Sequence, residues 1–278
     1  MPMENPPLTT PLPATAASAS NQTNTSGSQP QPLSDENRKL AKTFEELWKS
    51  ARLDERHRDH FDPDGTLYPG PWSQVQAQIA QVTDGTIVVL LGGRGRGKTQ
   101  IAVNLIGRSQ MALRYARYTL ASELFRAVRD TQRKHNGEDR SEQEVINSYS
   151  CPKLLAIDQA HIRGQSDFEN RTITEILDVR YAYKRTTILI SNEDVSKFEE
   201  AIGPDITDRI REHGKVFVCD WPSFRDAAAI DVKSKYIGSE AFYAAMAARE
   251  KAMREPEERL VAAILAEQAT ERAAKSAT

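Results

Sequence analysis

The stretch from Thr86 to Thr99 constrains this chain more than any other. It joins an apolar β-branched run, Thr86–Leu91 (TIVVLL), to Gly92-Gly93-Arg94-Gly95-Arg96-Gly97-Lys98-Thr99. These eight residues satisfy G-x-x-x-x-G-K-[ST], in which glycines let the backbone curl with its N–H groups pointing at phosphates. Lys98 is expected to reach the β- and γ-phosphates, and the Thr99 hydroxyl to ligate Mg²⁺. A helical pattern from Lys98 to about Ser109 would turn its positive N-terminal end to the same anion. A chance glycine-rich turn lacks this strand before and helix after. The expected ligands are therefore ATP and Mg²⁺.

From Thr86 onward strand-like and helix-like segments alternate, which predicts an α/β fold with a five-stranded, mostly parallel sheet flanked by helices. The later strands are expected at Leu113–Leu120, Lys153–Ile157, Thr187–Ser191 and Lys215–Cys219. A helix is expected over Ser122–His135, and three Ser-x-x-Glu pairs (Ser141/Glu144, Ser166/Glu169, Ser196/Glu199) mark helix starts. Such a loop also needs a carboxylate from a neighbouring strand to hold Mg²⁺ through water. Asp158 ends the run LLAID and can supply it; a solvated aspartate closing a strand is the plainer reading. The next residue is Gln159, whose amide can hold a water but cannot take its proton, so hydrolysis is expected to be slow.

The rest of the chain divides by composition. Residues 1–34 carry one charge (Glu4), seven of the fourteen prolines and no aromatic, so they are expected to be a disordered tail. Residues 35–85 read as a helical segment and lead-in, with Leu40, Phe44, Leu47 and Trp48 at helical spacing. The nucleotide-binding core is expected over 86–225. Residues 226–278 read as a helical extension, with helices at about 235–254 and 257–275 parted by Pro256. There Phe242, Met246, Leu260 and Ile264 form an apolar stripe, either folded on the core or holding a partner. With 37 Lys and Arg against 39 Asp and Glu the net charge is −2, which excludes a polycationic nucleic-acid binder. No run of 18 apolar residues could span a membrane. The two cysteines are expected to be buried free thiols, and a cytoplasmic location follows from the lack of a basic N-terminal leader. Five scattered histidines and two distant cysteines make no zinc site.

Together the loop Gly92–Thr99, the strand KLLAIDQ (Lys153–Gln159), TTILISNED (Thr186–Asp194), ITDRIREHGKVFVCDW (Ile206–Trp221) and Ser223-Phe224-Arg225 resemble the AAA+ ATPases of the DnaC/IstB type, over about residues 45–228. That resemblance implies an ATP-dependent replicative-helicase loader or transposition helper. It also implies Asn192 as the sensor 1 residue at the γ-phosphate, Arg209 as an arginine finger for a neighbouring subunit, and Arg225 as the sensor 2 arginine. The planar guanidinium suits phosphate oxygens. Each has a plain competitor: Asn192 could cap a turn, Arg209 could belong to a solvated helix face, and Arg225 could pair with Asp226 or Glu240. Gln159 stands where the family keeps a glutamate. The segment before the core is short for a helicase-docking domain, and the C-terminal extension is long.

Between Arg108 and Lys134 seven basic residues face two acidic ones. Arg126, Arg129 and Arg133, with Lys134 beside them, recur on one face of a helix whose Leu124, Phe125 and Val128 turn elsewhere. Such a stripe can track the phosphates of single-stranded or duplex DNA, or it can be a solvated face. Tyr115 and Tyr118 could stack bases, although strand aromatics more often fill cores. The expected partners are DNA, a replicative helicase or transposase, and further copies of the chain when ATP is bound.

Overall fold

The computed structural model describes residues 33–67, 70–82, 84–133, 140–161, 166–225 and 234–256, without the side chains of 132 and 133. The expected tail before residue 33, Lys134, and the expected helix 257–275 with Leu260 and Ile264 lie outside the described residues. Helix α1 (Asp35–Ser50) and a 3-10 turn (Glu55–His60) lead to α2 (Pro71–Ala80). Then come β1 (Ile87–Leu91), α3 (Lys98–Met111), β2 (Ala116–Leu120), α4 (Ala121–Arg133) and α5 (Glu142–Ser150). β3 (Leu154–Asp158), α6 (Asp167–Ala182), β4 (Thr186–Ile190), α7 (Val195–Ile202), α8 (Pro204–His213) and β5 (Gly214–Val218) follow. A last helix, α9, spans 240–256.

The five strands are parallel and run in the order β2-β3-β4-β1-β5. Alternation along each strand sorts its side chains into two cores. Val88, Leu90, Ala156, Ile188 and Ile190 face one side with residues of α1, α2, α3 and α9. Ile87, Val89, Leu91, Leu155, Ile157 and Leu189 face the other with residues of α4 to α8. Burial on both faces is why β1, β3 and β4 read as largely apolar runs, whereas β2 buries Arg117 and Thr119 as well. The edge strand β5 departs from this, leaving Val216 and Val218 exposed.

Leu40, Phe44 and Trp48, one helical turn apart, are the buried face of α1. Phe44 packs edge-on against Phe242 of α9, with ring centroids 5.1 Å apart, and against Phe61 at 5.5 Å. Phe242 and Met246 are fully buried. The described half of the C-terminal apolar stripe therefore folds onto the core. Lys39 and Glu250 pair at 2.7 Å across the same interface.

Arg180 on α6 is completely buried, and among the described residues its hydrogen-bond partners are carbonyls and one hydroxyl. Its Nη1 donates to the carbonyls of Tyr149, Ser150 and Pro152, its Nη2 to Thr186, and its Nε to the Thr187 hydroxyl at 2.8 Å. One guanidinium thus ties the end of α5, the entry to β3 and the start of β4 together. Burial pulls its pKa below the ordinary arginine value.

Some boundaries depart from expectation. β2 begins at Ala116, because Leu113 takes a left-handed backbone (φ 59°) and closes α3, the Arg114 N–H donating to the Ser109 carbonyl at 2.9 Å. Ser141 and Glu144 form the expected capping box, and Ser166 accepts from the Glu169 N–H. Ser196 caps nothing: α7 starts one residue earlier, and Asp194 accepts from the Lys197 N–H. Cys219 is buried as expected, but Cys151 is exposed at the C-terminal cap of α5.

Candidate nucleotide site

The loop Gly92–Gly97 joins β1 to α3 at the C-terminal end of the sheet, where a parallel α/β sheet places its ligand crevice. Gly92 has φ 126°, and a Cβ there would lie 2.3 Å from the Cys219 carbonyl oxygen. Gly97 caps α3 with φ 71°, and a Cβ there would lie 2.5 Å from the Trp72 indole nitrogen. Neither position accepts an L side chain. The segment after β5 holds the loop from outside. The Phe224 N–H donates to the Gly95 carbonyl at 2.9 Å, and the Trp221 indole N–H to the Arg96 carbonyl at 2.9 Å. Arg96 itself donates to the Cys219 carbonyl at 2.6 Å, so its guanidinium braces the loop. Arg94 is exposed on the rim.

Lys98 is buried. Its Nζ donates to the carbonyls of Gly92 (2.6 Å) and Gly93 (2.8 Å) and to Asn192 Oδ1 (3.0 Å), and desolvation lowers its pKa. Asn192 is thereby placed at the tip of the lysine from the end of β4. Thr99 Oγ1 donates to Asp158 Oδ2 at 2.7 Å. β3 does not lie beside β1, as a neighbouring carboxylate would require; β4 lies between them. Asp158 meets Thr99 nonetheless, because the first turn of α3 crosses the end of β4. A hydroxyl that gives its proton to a carboxylate keeps its lone pairs for a hard cation, so the pair fits Mg²⁺ held jointly with phosphates. Gln159 takes a left-handed backbone (φ 56°), its N–H donating to Asp158 Oδ1 at 2.7 Å, and it lines the same cleft. A non-glycine residue in that region is strained.

These groups border a cleft of about 700 Å³ that also takes in Arg225, Phe224, Trp72, Tyr118, Arg56, His57 and His60. Arg225 therefore shares the cleft with the loop. Sequence reasoning missed the residues upstream of the strand, which a polar network fastens to α3. Gln100 Nε2 donates to the carbonyls of His57 and His60 and to Asn104 Oδ1, so its Oε1 accepts from His57 Nδ1 at 2.8 Å. Asn104 in turn donates to Gln76, which donates to the Asp62 carbonyl. The only sequence signal is Gln100 and Asn104, polar residues one turn apart on a helix otherwise rich in apolar ones.

Arg209 lies away from this cleft. It pairs with Asp178 of α6 at 2.8 Å and stacks over Tyr181, so it is tied to a neighbouring helix rather than solvated on its own. Along α4, Leu124, Phe125 and Val128 are buried and Arg126 is exposed. Arg129 leans on α6 instead, 3.4 Å from Glu169 and over the Phe168 ring. Arg129 nonetheless stays exposed like Arg126, and the Arg133 side chain lies outside the described residues.

A phosphate loop leading from β1, a carboxylate on β3 and the strand order 2-3-4-1-5 define a P-loop nucleotide-binding protein of the AAA+ class. The chain belongs to the IstB-like ATP binding protein family, whose profile matches residues 41–230. It is 26% identical over 151 residues to the replicative helicase loader DnaC of Escherichia coli K12, covering 53% of this chain and 60% of that one. DnaC of Buchnera aphidicola subsp. Baizongia pistaciae is 26% identical over 144 residues, 49% and 55% of the two chains. The match thus spans a little over half the length of these curated relatives. The fold is shared with a crystal structure of the DnaC helicase loader (TM-score 0.50, 18% identity, 59% of this chain and 99% of that one). It is shared also with the replication initiator DnaA bound to AMPPCP and single-stranded DNA (TM-score 0.51, 15% identity, 59% and 50%).

Among the described residues no helix is long and apolar enough to cross a membrane.

Proposed function

We propose that this chain is an ATP-dependent loader that assembles on single-stranded DNA and delivers a replicative helicase. The carrying observation is the convergence of Lys98, Thr99, Asp158 and Asn192 at the end of the sheet. The loop amides and Lys98 would take the phosphates, the ammonium exchanging the Gly92 and Gly93 carbonyls for β- and γ-oxygens. Mg²⁺, held by Thr99 and through water by Asp158, would neutralise charge on the transferred phosphoryl group. Asn192 would register the γ-phosphate through its bond to Lys98, and Arg225 would close on it from the rim. Arg209 would have to leave Asp178 to complete a neighbouring copy's site. The loader reading draws on the DnaC relatives; the family itself equally admits an IstB-like transposition helper on duplex DNA. Gel filtration of the chain with ATP, single-stranded DNA and the cell's own replicative helicase tests the choice. A ternary complex dependent on ATP supports loading, and its absence overturns it.

Gln159 favours a further reading, an assembly switch that holds ATP without turning it over. Its amide can position water but lacks a base, and losing such a base costs about 10²–10⁴-fold in rate. Gln159→Glu is expected to raise steady-state phosphate release by at least about tenfold at saturating ATP, within that range. ATP affinity should hardly change. If the unaltered chain already hydrolyses ATP briskly and the variant is no faster, the proton acceptor lies elsewhere.

The basic stripe of α4 is the proposed DNA-binding surface. Reversing Arg126, Arg129 and Arg133 to Glu is expected to weaken single-stranded DNA binding. The slope of log K against log salt should flatten by about one for each phosphate that is no longer neutralised. Fluorescence anisotropy over a salt series reads both, and an unaltered slope returns the stripe to a solvated helix face.

A further inference from the structure

We propose that Tyr118 is a positioning residue for the cation: its hydroxyl fixes the Asp158 carboxylate so that bound nucleotide gains its full affinity from Mg²⁺. The inference rests on the reading of Thr99 and Asp158 as the Mg²⁺-holding pair and adds a residue from a third strand.

Tyr118 lies on β2, whose parallel register places it opposite Ala156 and places Leu120 opposite Asp158. The small Ala156 side chain leaves room for the ring to run diagonally along β3, a reach open to an aromatic side chain. The phenol donates to Asp158 Oδ2 at 2.9 Å, the same oxygen that accepts from Thr99 at 2.7 Å. Oδ1 accepts the Gln159 N–H at 2.7 Å. Donors thus hold both carboxylate oxygens, one from β2, one from α3 and one from the backbone just after β3. Burial, and the Asp158 charge beside it, push the phenol's pKa far up, so the hydroxyl remains a donor.

The three donors differ in what a cation does to them. The Gln159 N–H sets one oxygen but leaves the carboxylate free to tilt about it. Thr99 belongs to the helix that must also address the metal, so its grip changes when a cation arrives. The Tyr118 ring is buried in the core beneath the sheet's end and has no such second duty. It would keep the carboxylate plane constant and leave the remaining acceptor capacity of Asp158 for water on a bound cation. Outer-shell hydrogen bonds to metal ligands are worth about 10–100-fold in metal affinity.

The test compares affinity for a fluorescent ATP analogue in Mg²⁺ and in EDTA. For the unaltered chain the Mg²⁺ affinity should be clearly the higher. Tyr118→Phe keeps the ring and removes only the hydroxyl. It is expected to cut the ratio of the two affinities about tenfold, at the low end of that range, while the EDTA affinity stays within about twofold. In an Asp158→Asn background the same substitution should change the ratio no further, because the group through which it acts is gone. An unchanged ratio in Tyr118→Phe overturns the proposal, and so does an equal loss in Mg²⁺ and EDTA, which would mark a packing role. If the unaltered chain binds equally in both media, the Thr99–Asp158 reading fails first, and the proposal falls with it.

Discussion

Lys98→Ala is expected to weaken ATP binding by at least about 30-fold. The ammonium is buried at the base of the loop, and its partners, the Gly92 and Gly93 carbonyls and Asn192, lie where phosphate oxygens would come. Truncating one partner of a desolvated charged pair costs about 2–5 kcal/mol, and each 1.4 kcal/mol is a factor of ten. The loop itself should survive. The substitution removes the Lys98 bonds to Gly92 and Gly93 but leaves in place the glycine conformations at Gly92 and Gly97 and the bonds from Arg96, Trp221 and Phe224 that also set its shape. Titration with a fluorescent ATP analogue should therefore show weakened affinity while the melting temperature moves little. An affinity within about threefold of the unaltered chain would mean that phosphate binds elsewhere.

Arg180→Leu on α6 is expected to be strongly destabilising. The leucine is apolar and roughly fills the volume, but it leaves acceptors on three separate segments without a donor in a site closed to water. Unsatisfied buried groups cost about 1–3 kcal/mol each, so a loss of about 3–5 kcal/mol is reasonable once relaxation is allowed. For a unit of this size that lowers the melting temperature by roughly 6–20 °C. Arg180→Lys should recover only a part, because one ammonium cannot span donors to β4 and to the entry of β3 together. Thermal melts followed by circular dichroism measure both, and a drop under about 2 °C for the leucine variant would show that the latch is dispensable. ATP affinity at temperatures where the variant is folded should be unaffected, since Arg180 lies outside the cleft.

The sheet and the loop are legible in the sequence because both are local signals. The apolar runs of β1, β3 and β4, buried on both faces, need no long-range information to be read as parallel strands. Glycine spacing and the Lys98-Thr99 pair encode a backbone shape within eight residues. The order of the strands is a different matter: it depends on which crossover passes over which strand, and it moves Asp158 one strand farther from the loop than a neighbouring carboxylate would be. Side-chain commitments are equally hidden. Arg129 reads as one charge of a basic stripe, yet a carboxylate on α6 lies 3.4 Å from it, and the Arg96 guanidinium finds its acceptor 123 residues away in sequence. Tyr118 reads as a core residue or a stacking platform. Its hydroxyl partner is 40 positions along the chain, across a strand pair whose register no single-sequence pattern specifies.

By itself, then, the sequence determined the phosphate loop and the alternation of strands and helices, because each is written in residues close together. Tertiary structure alone decided which arginines face the cleft and that Phe242 and Met246 close the core. It also brought the upstream 3-10 turn to the rim through Gln100, and set a tyrosine from β2 against the carboxylate of β3. Those outcomes turn on distances between segments far apart in the chain, which depend on how helices stack on a twisted sheet and which buried donors find acceptors there.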